Sequence, residues 1–531
     1  MALLSLGGLL LAVVAAPTAP RDTVPLYTNL GTYHRAISTR VPDAQRYFDQ
    51  GLRLVFGFNH SEAIRAFNEA ARLDPSCAMC YWGIAYAYGP HVNAGMDSAS
   101  GVAAYAAVQR AQALARNANA VERAFITAMG KRYARVPPAN RARLDSAYAT
   151  AMCDVSRRNA GDLDAGALCA EAMMDLRPWN YWRQPSGEPY PGTLDIVANL
   201  ERVIARNPDH PGACHFYIHA VEAVRPDKAV PCAERLAQLM PGVGHMVHMP
   251  AHIYIRVGRY NDAVQSNIHA VHTDEVYIEG QKPQGVYPIA YYPHNVHFLS
   301  FAATMAGNSA QAIDAARALG TKVNLDVARA VPMVQAFVPF FDLTLVTFGR
   351  WDEVLQQPLP PADLKYASTM AHYARGVAFA ATGKPAEAAG ELDAVKQAAA
   401  TASADDKPVF EIAMHALMGE MAQRAGRLDE AAAHYKAAMA IEDGILYFEP
   451  PTWYYPIRHS LGVVLLSAGK PAEAEAVYQE DLKRFPENGW ALFGLLQALR
   501  AQGKLADART ADERFRRAWK DADVTLTASR F

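Results

Sequence analysis

Histidine is the residue type in this chain whose spacing points most clearly to chemistry. Ten of the 17 histidines fall between His210 and His297, where an even spread would give about three. The segments HFYIH (215–219) and HMVHMPAH (245–252) each contain histidines four residues apart. Residues with this spacing lie on one face of a helix, with Cβ atoms about 6 Å apart. Two such pairs offer four neutral nitrogen donors to one cation, which favours a transition metal, namely copper, zinc or iron.

A carboxylate and a third histidine pair extend this pattern. Glu222 follows His219 by three residues, and HNVH places His294 and His297 further along the chain. Glu222 is a candidate metal ligand, a candidate partner that orients a ligand, or a candidate general base. In the alternative interpretation, the histidines only hydrogen-bond a peptide or an acidic ligand. Either way the stretch is expected to act as one functional unit.

A repeat provides the helices that must position these side chains. Between Asp43 and Pro75 the sequence predicts two amphipathic helices, with residues at fixed offsets: Gly51, Ala63, Phe67, Ala70 and Pro75. This pattern resembles the tetratricopeptide repeat, a helix-turn-helix unit of about 34 residues. The same offsets place repeat starts at Ala44, Thr369, Ile412, Tyr455 and Gly489. Small residues let the paired helices approach closely, and each hairpin buries its apolar face on the next.

The resemblance implies an all-α solenoid of helix-turn-helix repeats over most of the chain. We expect a signal peptide at 1–16, an N-terminal segment at 17–42, a first repeat array at 43–320 that includes the histidine block at 207–304, and a second array at 321–531. The block, with HPGACHFYIHAVEA and HMVHMPAHIYIRVGRY, also resembles a group of exported bacterial tetratricopeptide proteins.

In the tetratricopeptide family, positions 2, 5 and 9 of the first helix face a concave groove that binds ligands. The repeat register puts seven histidines at such positions: His215, His219, His245, His248, His252, His294 and His297. Trp82 and Tyr86 occupy positions 5 and 9 of their own repeat, so they are candidates to stack a ligand, although aromatic residues there also pack normally. The resemblance therefore implies a peptide, a protein or a small molecule as the partner in the groove.

Three insertions rich in proline and aromatic residues interrupt the array, at 178–193, 281–293 and 445–456. Their composition indicates packed loops rather than flexible linkers. Covering the groove and filling gaps between repeats are both consistent with the sequence. Because the insertion at 281–293 joins two histidine-bearing repeats and carries several tyrosines, we expect it to cover the histidines.

Composition and the known motifs exclude other functions. Lys plus Arg is 51 and Asp plus Glu is 53, which leaves a net charge of -2, so the chain lacks the excess of positive charge that attracts nucleic acid. The sequence contains no G-x-S-x-G, Walker A, HExxH or CxxCH motif, so ordinary hydrolase, kinase, zincin and c-type haem functions have no support.

The first residues and the cysteines predict export. An uncharged apolar run from Ala2 to Ala16 ends in small residues, as in a secretory signal, with a buried first helix as the alternative. No later apolar run is long enough to span a membrane, so we expect a periplasmic or secreted protein. In an oxidising compartment the six cysteines are expected to pair locally, as Cys77–Cys80, Cys153–Cys169 and Cys214–Cys232. Metal binding by the Cys77–Cys80 CxxC motif is the rival interpretation.

Two functions from different classes follow from the sequence. In the first, a metal bound by the histidines activates water or dioxygen, with Glu222 as a proton carrier. In the second, the protein is a non-enzymatic scaffold, and the histidines tune the binding of a peptide or protein partner in the groove.

Overall fold

The computed structural model describes residues 24–283 and 285–531. The chain forms two compact units. The first unit extends to Ile253 and also includes His269–Tyr292, whereas the second comprises Tyr254–Ile268 and Pro293–Phe531. The expected boundary after residue 320 is therefore not where the units divide. The division falls inside the histidine block, because the helix that precedes residue 320 packs with the helices that follow it.

The first unit is built from short helices in sequence order. They are α1 (Pro42–Phe56), α2 (His60–Leu73), α3 (Ala78–Ala87), α4 (Ser98–Ala113), α5 (Ala120–Met129), α6 (Ala142–Arg158), α7 (Leu163–Met174), α8 (Thr193–Arg206), α9 (Pro211–Val221), α10 (Val230–Leu239) and α11 (Gly244–His248). Short 3-10 helices at Ala115–Asn117 and Pro226–Ala229 and a π-helix at Tyr287–Tyr291 complete it.

Three helices contain residues of both units: α12 (Pro250–Arg256), α13 (Tyr260–Gln281) and α14 (Tyr292–Met305). The remaining helices belong to the second unit. They are α15 (Ser309–Lys322), α16 (Leu325–Ala330), α17 (Phe340–Thr347), α18 (Trp351–Gln356), α19 (Lys365–Ala381), α20 (Pro385–Thr401), α21 (Lys407–Arg424), α22 (Leu428–Gly444), α23 (Ile457–Ser467), α24 (Pro471–Arg484), α25 (Gly489–Ala501) and α26 (Leu505–Ala518), with a 3-10 helix at Pro332–Phe337.

Within the described residues, β-structure is limited to two isolated bridges, His91 with Ala94 and Trp182 with Pro189. None of the described helices is both long and apolar enough to cross a membrane. The predicted fold class, an all-α solenoid of helical repeats, is confirmed.

Helical hairpins form where the repeat pattern predicts them. α1 packs on α2, and in the second unit α19 packs on α20, α21 on α22 and α25 on α26. In each of the hairpins that begin with α19, α21, α23 and α25, a glycine with φ between 70° and 75° follows the first helix, at Gly383, Gly426, Gly469 and Gly503. Residues with a side chain rarely adopt this left-handed conformation, so glycine ends the first helix and lets the chain turn back.

Small residues at the repeat positions give aromatic rings room to pack. A Cβ atom added at Gly51 would lie 2.6 Å from the Phe67 ring, and one added at Gly83 would lie 2.5 Å from the same ring. In the second unit, Gly462 and Gly494 approach the ring of Tyr478 in the same way, each at 2.2 Å. In these two repeats, one aromatic residue therefore packs against the glycine of its own repeat and that of the next.

The N-terminal segment is bound to the first unit by buried polar groups. Arg35 donates to both carboxylate oxygens of Asp162 and, at 2.7 Å, to Asp164. The Tyr33 hydroxyl also donates to Asp164, at 2.7 Å. The predicted signal peptide at 1–16 lies outside the described residues.

Two of the three predicted disulfides are confirmed. Cys77 is bonded to Cys80, and Cys153 to Cys169, within hydrogen-bonded helical segments. The prediction for Cys214 and Cys232 is wrong for this structure, in which both are buried free thiols. The Cys214 sulfur donates to the Pro208 carbonyl at 3.4 Å, and its hydrogen bond with Cys232, together with burial, raises the pKa of the Cys214 thiol.

The helices of the histidine block have well-defined ends. Pro211 opens α9, and the His210 ring accepts a hydrogen bond from the Ala213 amide at 3.1 Å, which caps this helix. α11 ends at His248, and α12 begins at Pro250 after a single intervening residue. Proline has no amide proton to donate to the preceding turn, which explains the break.

Candidate metal centre

Five imidazoles of the first unit form a buried group that we call the histidine cluster. α9 carries His215 and His219, α11 carries His245 and His248, and α12 begins just before His252. The exposed fraction of each of these side chains is between 0% and 4%. The HxxxH spacing in α9 places His215 and His219 on one helix face and turns them into the interior, whereas His248 and His252 lie on either side of the break between α11 and α12.

Three of the rings bring nitrogen atoms to one place. Nitrogens of His215, His219 and His245 lie within 4.8 Å of one another, and the Nε2 atoms of His215 and His245 are 3.2 Å apart. Nitrogens that share a tetrahedral ion at 2.0 to 2.1 Å are about 3.3 Å apart. We call these three residues the first nitrogen group.

The Nδ1 atoms of three rings in the cluster contact oxygen atoms that can only accept a hydrogen bond. Nδ1 of His215 lies 2.6 Å from the carbonyl oxygen of Phe56, at the end of α1. Nδ1 of His219 lies 3.1 Å from Glu222 Oε1, and Nδ1 of His252 lies 2.6 Å from Glu222 Oε2. Each of these Nδ1 atoms therefore carries the proton, and Nε2 is left with a lone pair. Nε2 of His219 is buried and has no hydrogen-bond partner.

Glu222 is an orienting carboxylate in this geometry. It is fully buried, and each of its oxygens accepts a hydrogen bond from a different imidazole. Burial raises its pKa, but the imidazoles of His252 and His219 outweigh that effect and lower the pKa of Glu222 to about 2. A carboxylate held ionised in this way is a poor proton carrier near neutral pH, so the geometry favours the orienting role among the three roles expected for Glu222.

His248 and His252 form a second contact between nitrogens. Their Nε2 atoms are 2.9 Å apart. The sequence predicted that His215, His219, His248 and His252 would converge on a single ion. That pairing is corrected: His215 contacts His245, and His248 contacts His252. Packing between separate helices sets this arrangement, and the spacing within one helix does not reveal it.

Burial favours the uncharged form of two of the rings, His215 and His219. Burial first, and then the neighbouring His219, hold the pKa of His215 well below its ordinary value of 6.5. Burial also lowers the pKa of His219, although its bond to Glu222 opposes this effect. Neutral imidazole is the form that binds metals, so these rings are able to bind a cation at neutral pH.

Aromatic residues that the sequence did not single out enclose the cluster. The Phe58 ring lies 4.4 Å from the rings of His215 and His91 and 5.5 Å from that of His245, measured between ring centroids. Trp179, in the insertion at 178–193, lies edge-on to His219 at 5.0 Å. Phe58 and Trp179 both have positive φ, 56° and 63°, which is uncommon for residues with a side chain and is concentrated at functional sites.

Two further histidines, His60 and His91, lie beside the Phe58 ring, and their own rings are 4.4 Å apart. Burial lowers the pKa of His60 to about 3. Neither residue has the HxxxH spacing, so the pattern used to find the cluster could not detect them. The local sequence marks only the turn at Phe58 and Asn59, which links α1 to α2, and does not indicate that His60 and His91 lie near the cluster.

Part of the insertion at 281–293 contacts the cluster at His245 within the first unit. The ring of Tyr291 lies 4.7 Å from that of His245. The Tyr287 hydroxyl accepts a hydrogen bond from the backbone amide of His245 at 3.3 Å and donates to Asp274 at 2.7 Å. Both tyrosines belong to the π-helix, an element found often at functional sites.

Three of the other predicted site residues, His297, Trp82 and Tyr86, lie elsewhere. His294 and His297 belong to the second unit, where the His297 ring packs against Phe340 at 4.1 Å. Trp82 and Tyr86 are each only 1% exposed and stack on each other at 5.3 Å. Because Tyr86 also packs against the guanidinium of Arg132, these aromatics are part of the core and offer no open surface to a ligand. Their expected role in stacking a ligand is corrected accordingly.

Comparison with known proteins identifies the repeat. Residues 465–511, from the end of α23 into α26, match the model of the tetratricopeptide repeat family. No curated protein matches the chain by sequence. Among solved structures, a human IFIT1 dimer with m7Gppp-AAAA is 12% identical over 91% of each chain, with a TM-score of 0.34. A human IFIT1 dimer with PPP-AAAA is 12% identical over 91% of this chain and 92% of that chain, with a TM-score of 0.32. These scores are too low to carry an argument about ligands.

Proposed function

We propose that this tetratricopeptide-repeat protein is a metalloprotein, and that its first unit binds a transition metal ion through Nε2 of His215, His219 and His245. The ion is copper, zinc or iron, the metals that suit ligation by imidazole nitrogen. His248 and His252 lie beside this site, and Glu222 orients two of the rings.

The observation that carries the proposal is the direction of the lone pairs. Acceptors fix the protons of His215 and His219 on Nδ1, so Nε2 of each ring has a lone pair in the buried interior. Buried acceptors without a donor cost free energy, and several neutral imidazoles facing one another have no mutual hydrogen bonds that could satisfy them all. A cation satisfies all of them at once.

A site with three protein nitrogens leaves a coordination position for water or substrate. Structural zinc sites are closed by four protein ligands, whereas catalytic sites keep one position open. The first nitrogen group therefore suits an ion that activates water or dioxygen. The aromatic residues around it limit the entry of bulk water, which strengthens electrostatic interactions at the ion.

Burial separates this proposal from the scaffold hypothesis. Histidines that tune the binding of a peptide or protein must be accessible to that partner. The five imidazoles of the histidine cluster are at most 4% exposed, and Tyr287 and Tyr291 cover one side of them. Metal binding therefore accounts for the histidines better than the recognition of a protein partner.

We also propose that the protein is exported to the periplasm or secreted. The disulfides Cys77–Cys80 and Cys153–Cys169 support this location, because such bonds persist in oxidising compartments. A cytosolic location would leave these cysteines reduced, which peptide mapping under non-reducing conditions would detect.

Elemental analysis of the purified full-length protein tests the metal proposal. The wild-type protein is expected to contain at least one equivalent of copper, zinc or iron, and the double variant His215→Ala, His219→Ala is expected to contain one equivalent fewer. The matched control is His459→Ala, which removes a buried histidine of the second unit that is also bonded to a carboxylate, Asp481, at 3.1 Å. Equal metal content in all three proteins, or none in the wild type after reloading, would contradict the proposal.

A further inference from the structure

Two rings of the histidine cluster are left over once an ion is assigned to the first nitrogen group. His248 and His252 have their Nε2 atoms 2.9 Å apart, a distance at which the two nitrogens must share either a proton or a cation. Both side chains are buried, with exposed fractions of 0% and 1%. One tetrahedral ion takes four ligands, so it cannot use all five imidazoles.

His252 carries its proton on Nδ1, as do His215 and His219 of the first nitrogen group. Its Nδ1 lies 2.6 Å from Glu222 Oε2, and because the carboxylate only accepts, the lone pair of His252 is on Nε2 and faces Nε2 of His248. A cation can therefore take the place of a shared proton between these two nitrogens, as it can between Nε2 of His215 and Nε2 of His245.

Glu222 connects the two contacts between nitrogens. Its Oε1 orients His219, a member of the first nitrogen group, and its Oε2 orients His252 of the second pair. The rings of His219 and His252 are 5.6 Å apart, and those of His245 and His248 are 5.9 Å apart. A single carboxylate therefore aligns one ligand from each of two neighbouring sets of donors.

We infer that the first unit holds a second metal ion, bound by Nε2 of His248 and His252 beside the ion on His215, His219 and His245. This inference rests on the proposed function, since it takes the first site as given. With two ions, each of the five imidazoles is a metal ligand, and each oxygen of Glu222 orients one ligand. Because two nitrogens do not fill the coordination shell of a transition metal, the second ion takes further ligands beyond these two rings.

The test is the stoichiometry of Co²⁺ bound to the metal-free full-length protein, measured by equilibrium dialysis and elemental analysis. The wild type is expected to bind two equivalents. The variant His248→Ala, His252→Ala is expected to bind one, as is the variant His215→Ala, His245→Ala. His459→Ala, the control from the second unit, is expected to bind two. Circular dichroism confirms that each variant is folded, and His248→Gln, which preserves more of the side-chain volume, replaces the double variant if that one does not fold.

The outcomes separate the two proposals. One equivalent in the wild type, unchanged in His248→Ala, His252→Ala, would overturn the second ion and leave the first intact. Two equivalents in that variant would overturn the placement of the second ion on these two residues. A folded variant that loses both equivalents would also overturn it, because the ligands of the first ion are untouched. No bound cobalt in the wild type would overturn the proposed function itself.

Discussion

Glu222 provides the sharpest test of how the histidine cluster is organised. Its carboxylate lies between two imidazoles, 3.1 Å from Nδ1 of His219 and 2.6 Å from Nδ1 of His252. The substitution Glu222→Gln keeps the size and shape of the side chain. It replaces one acceptor oxygen with an amino group that can only donate.

The expected loss follows from that exchange. The amide oxygen of a glutamine can accept a hydrogen bond from only one of the two rings. The other ring then faces the amino group, so its Nδ1 must be unprotonated to accept a hydrogen bond. The proton of that ring then moves to Nε2, which removes one lone pair from the cluster. Mutating a residue that orients a metal-binding histidine lowers metal affinity by about 10- to 100-fold. This range corresponds to about 1.4 to 2.8 kcal/mol of binding free energy.

The assay is a competition titration of the metal-free protein with Zn²⁺ against a chromophoric chelator. Asp481→Asn in the second unit is the matched control, because its buried carboxylate also bonds a histidine, His459. Glu222→Gln is expected to weaken binding by the stated factor, whereas Asp481→Asn is expected to leave the affinity unchanged. Helicity and the thermal midpoint of each metal-free variant show whether the fold is intact.

The orienting role would be refuted if folded Glu222→Gln bound Zn²⁺ as tightly as the wild type. It would be refuted equally if Asp481→Asn weakened binding to the same degree. In that case the loss would reflect general destabilisation rather than the alignment of the rings.

Three further predictions concern the rest of the molecule. Gly494→Ala places a Cβ atom 2.2 Å from the Tyr478 ring and should lower the free energy of unfolding by about 1 to 3 kcal/mol. Gly390→Ala, on an exposed helix face where the new Cβ meets nothing within 4 Å, should raise it by up to about 1 kcal/mol, and chemical denaturation that ranks the two variants otherwise would contradict the packing argument. Burial lowers the pKa of His297 to about 3, so below pH 6.5 the unfolded chain binds a proton that the folded protein does not bind. The stability that depends on the neutral ring is therefore complete above pH 6.5 and is lost as the pH falls towards 3. Between pH 7 and pH 5, the free energy of unfolding of the metal-free protein should therefore fall by about 2 kcal/mol less in His297→Leu than in the wild type. An unchanged pH dependence would argue against a buried neutral ring. Tyr291→Ala opens the cover over His245 and should speed the removal of metal by a chelator while leaving the stoichiometry unchanged, and an unaltered rate would show that this segment does not control access.

The sequence predicts the repeats because their signal is local. Glycine, alanine and aromatic residues at fixed offsets determine where two helices touch, and the predicted starts at Ala44, Thr369, Ile412 and Gly489 all fall within the first turns of observed helices. The HxxxH spacing is equally local, since it needs only one helix to place both rings on the same face.

The details that the sequence does not predict depend on contacts between distant segments. His215 bonds the carbonyl of Phe56, which is 159 residues away, and it contacts His245 rather than His248. The involvement of Phe58 follows from the same approach of α1 to α9. No spacing within a helix encodes these distances, because packing between repeats sets them.

Burial explains the predictions that were wrong. The repeat register places Trp82 and Tyr86 at groove positions, but it does not show which later helix covers them. Phe125 from α5 lies 5.7 Å from Trp82, and Arg132, which follows α5, packs against Tyr86. The pairing of Cys214 with Cys232 was similarly inferred from the separation along the chain, and the structure holds both residues as buried free thiols.

Anomalous X-ray diffraction from crystals of the metal-loaded protein tests the central claim most directly. With data collected at the absorption edge of the bound metal, the account predicts an anomalous peak about 2.0 to 2.1 Å from Nε2 of His215, His219 and His245. The Nδ1 atom of His219 should remain bonded to Glu222. A fully loaded crystal with no peak at these three nitrogens, or with the peak on Nδ1 of His219, would contradict it.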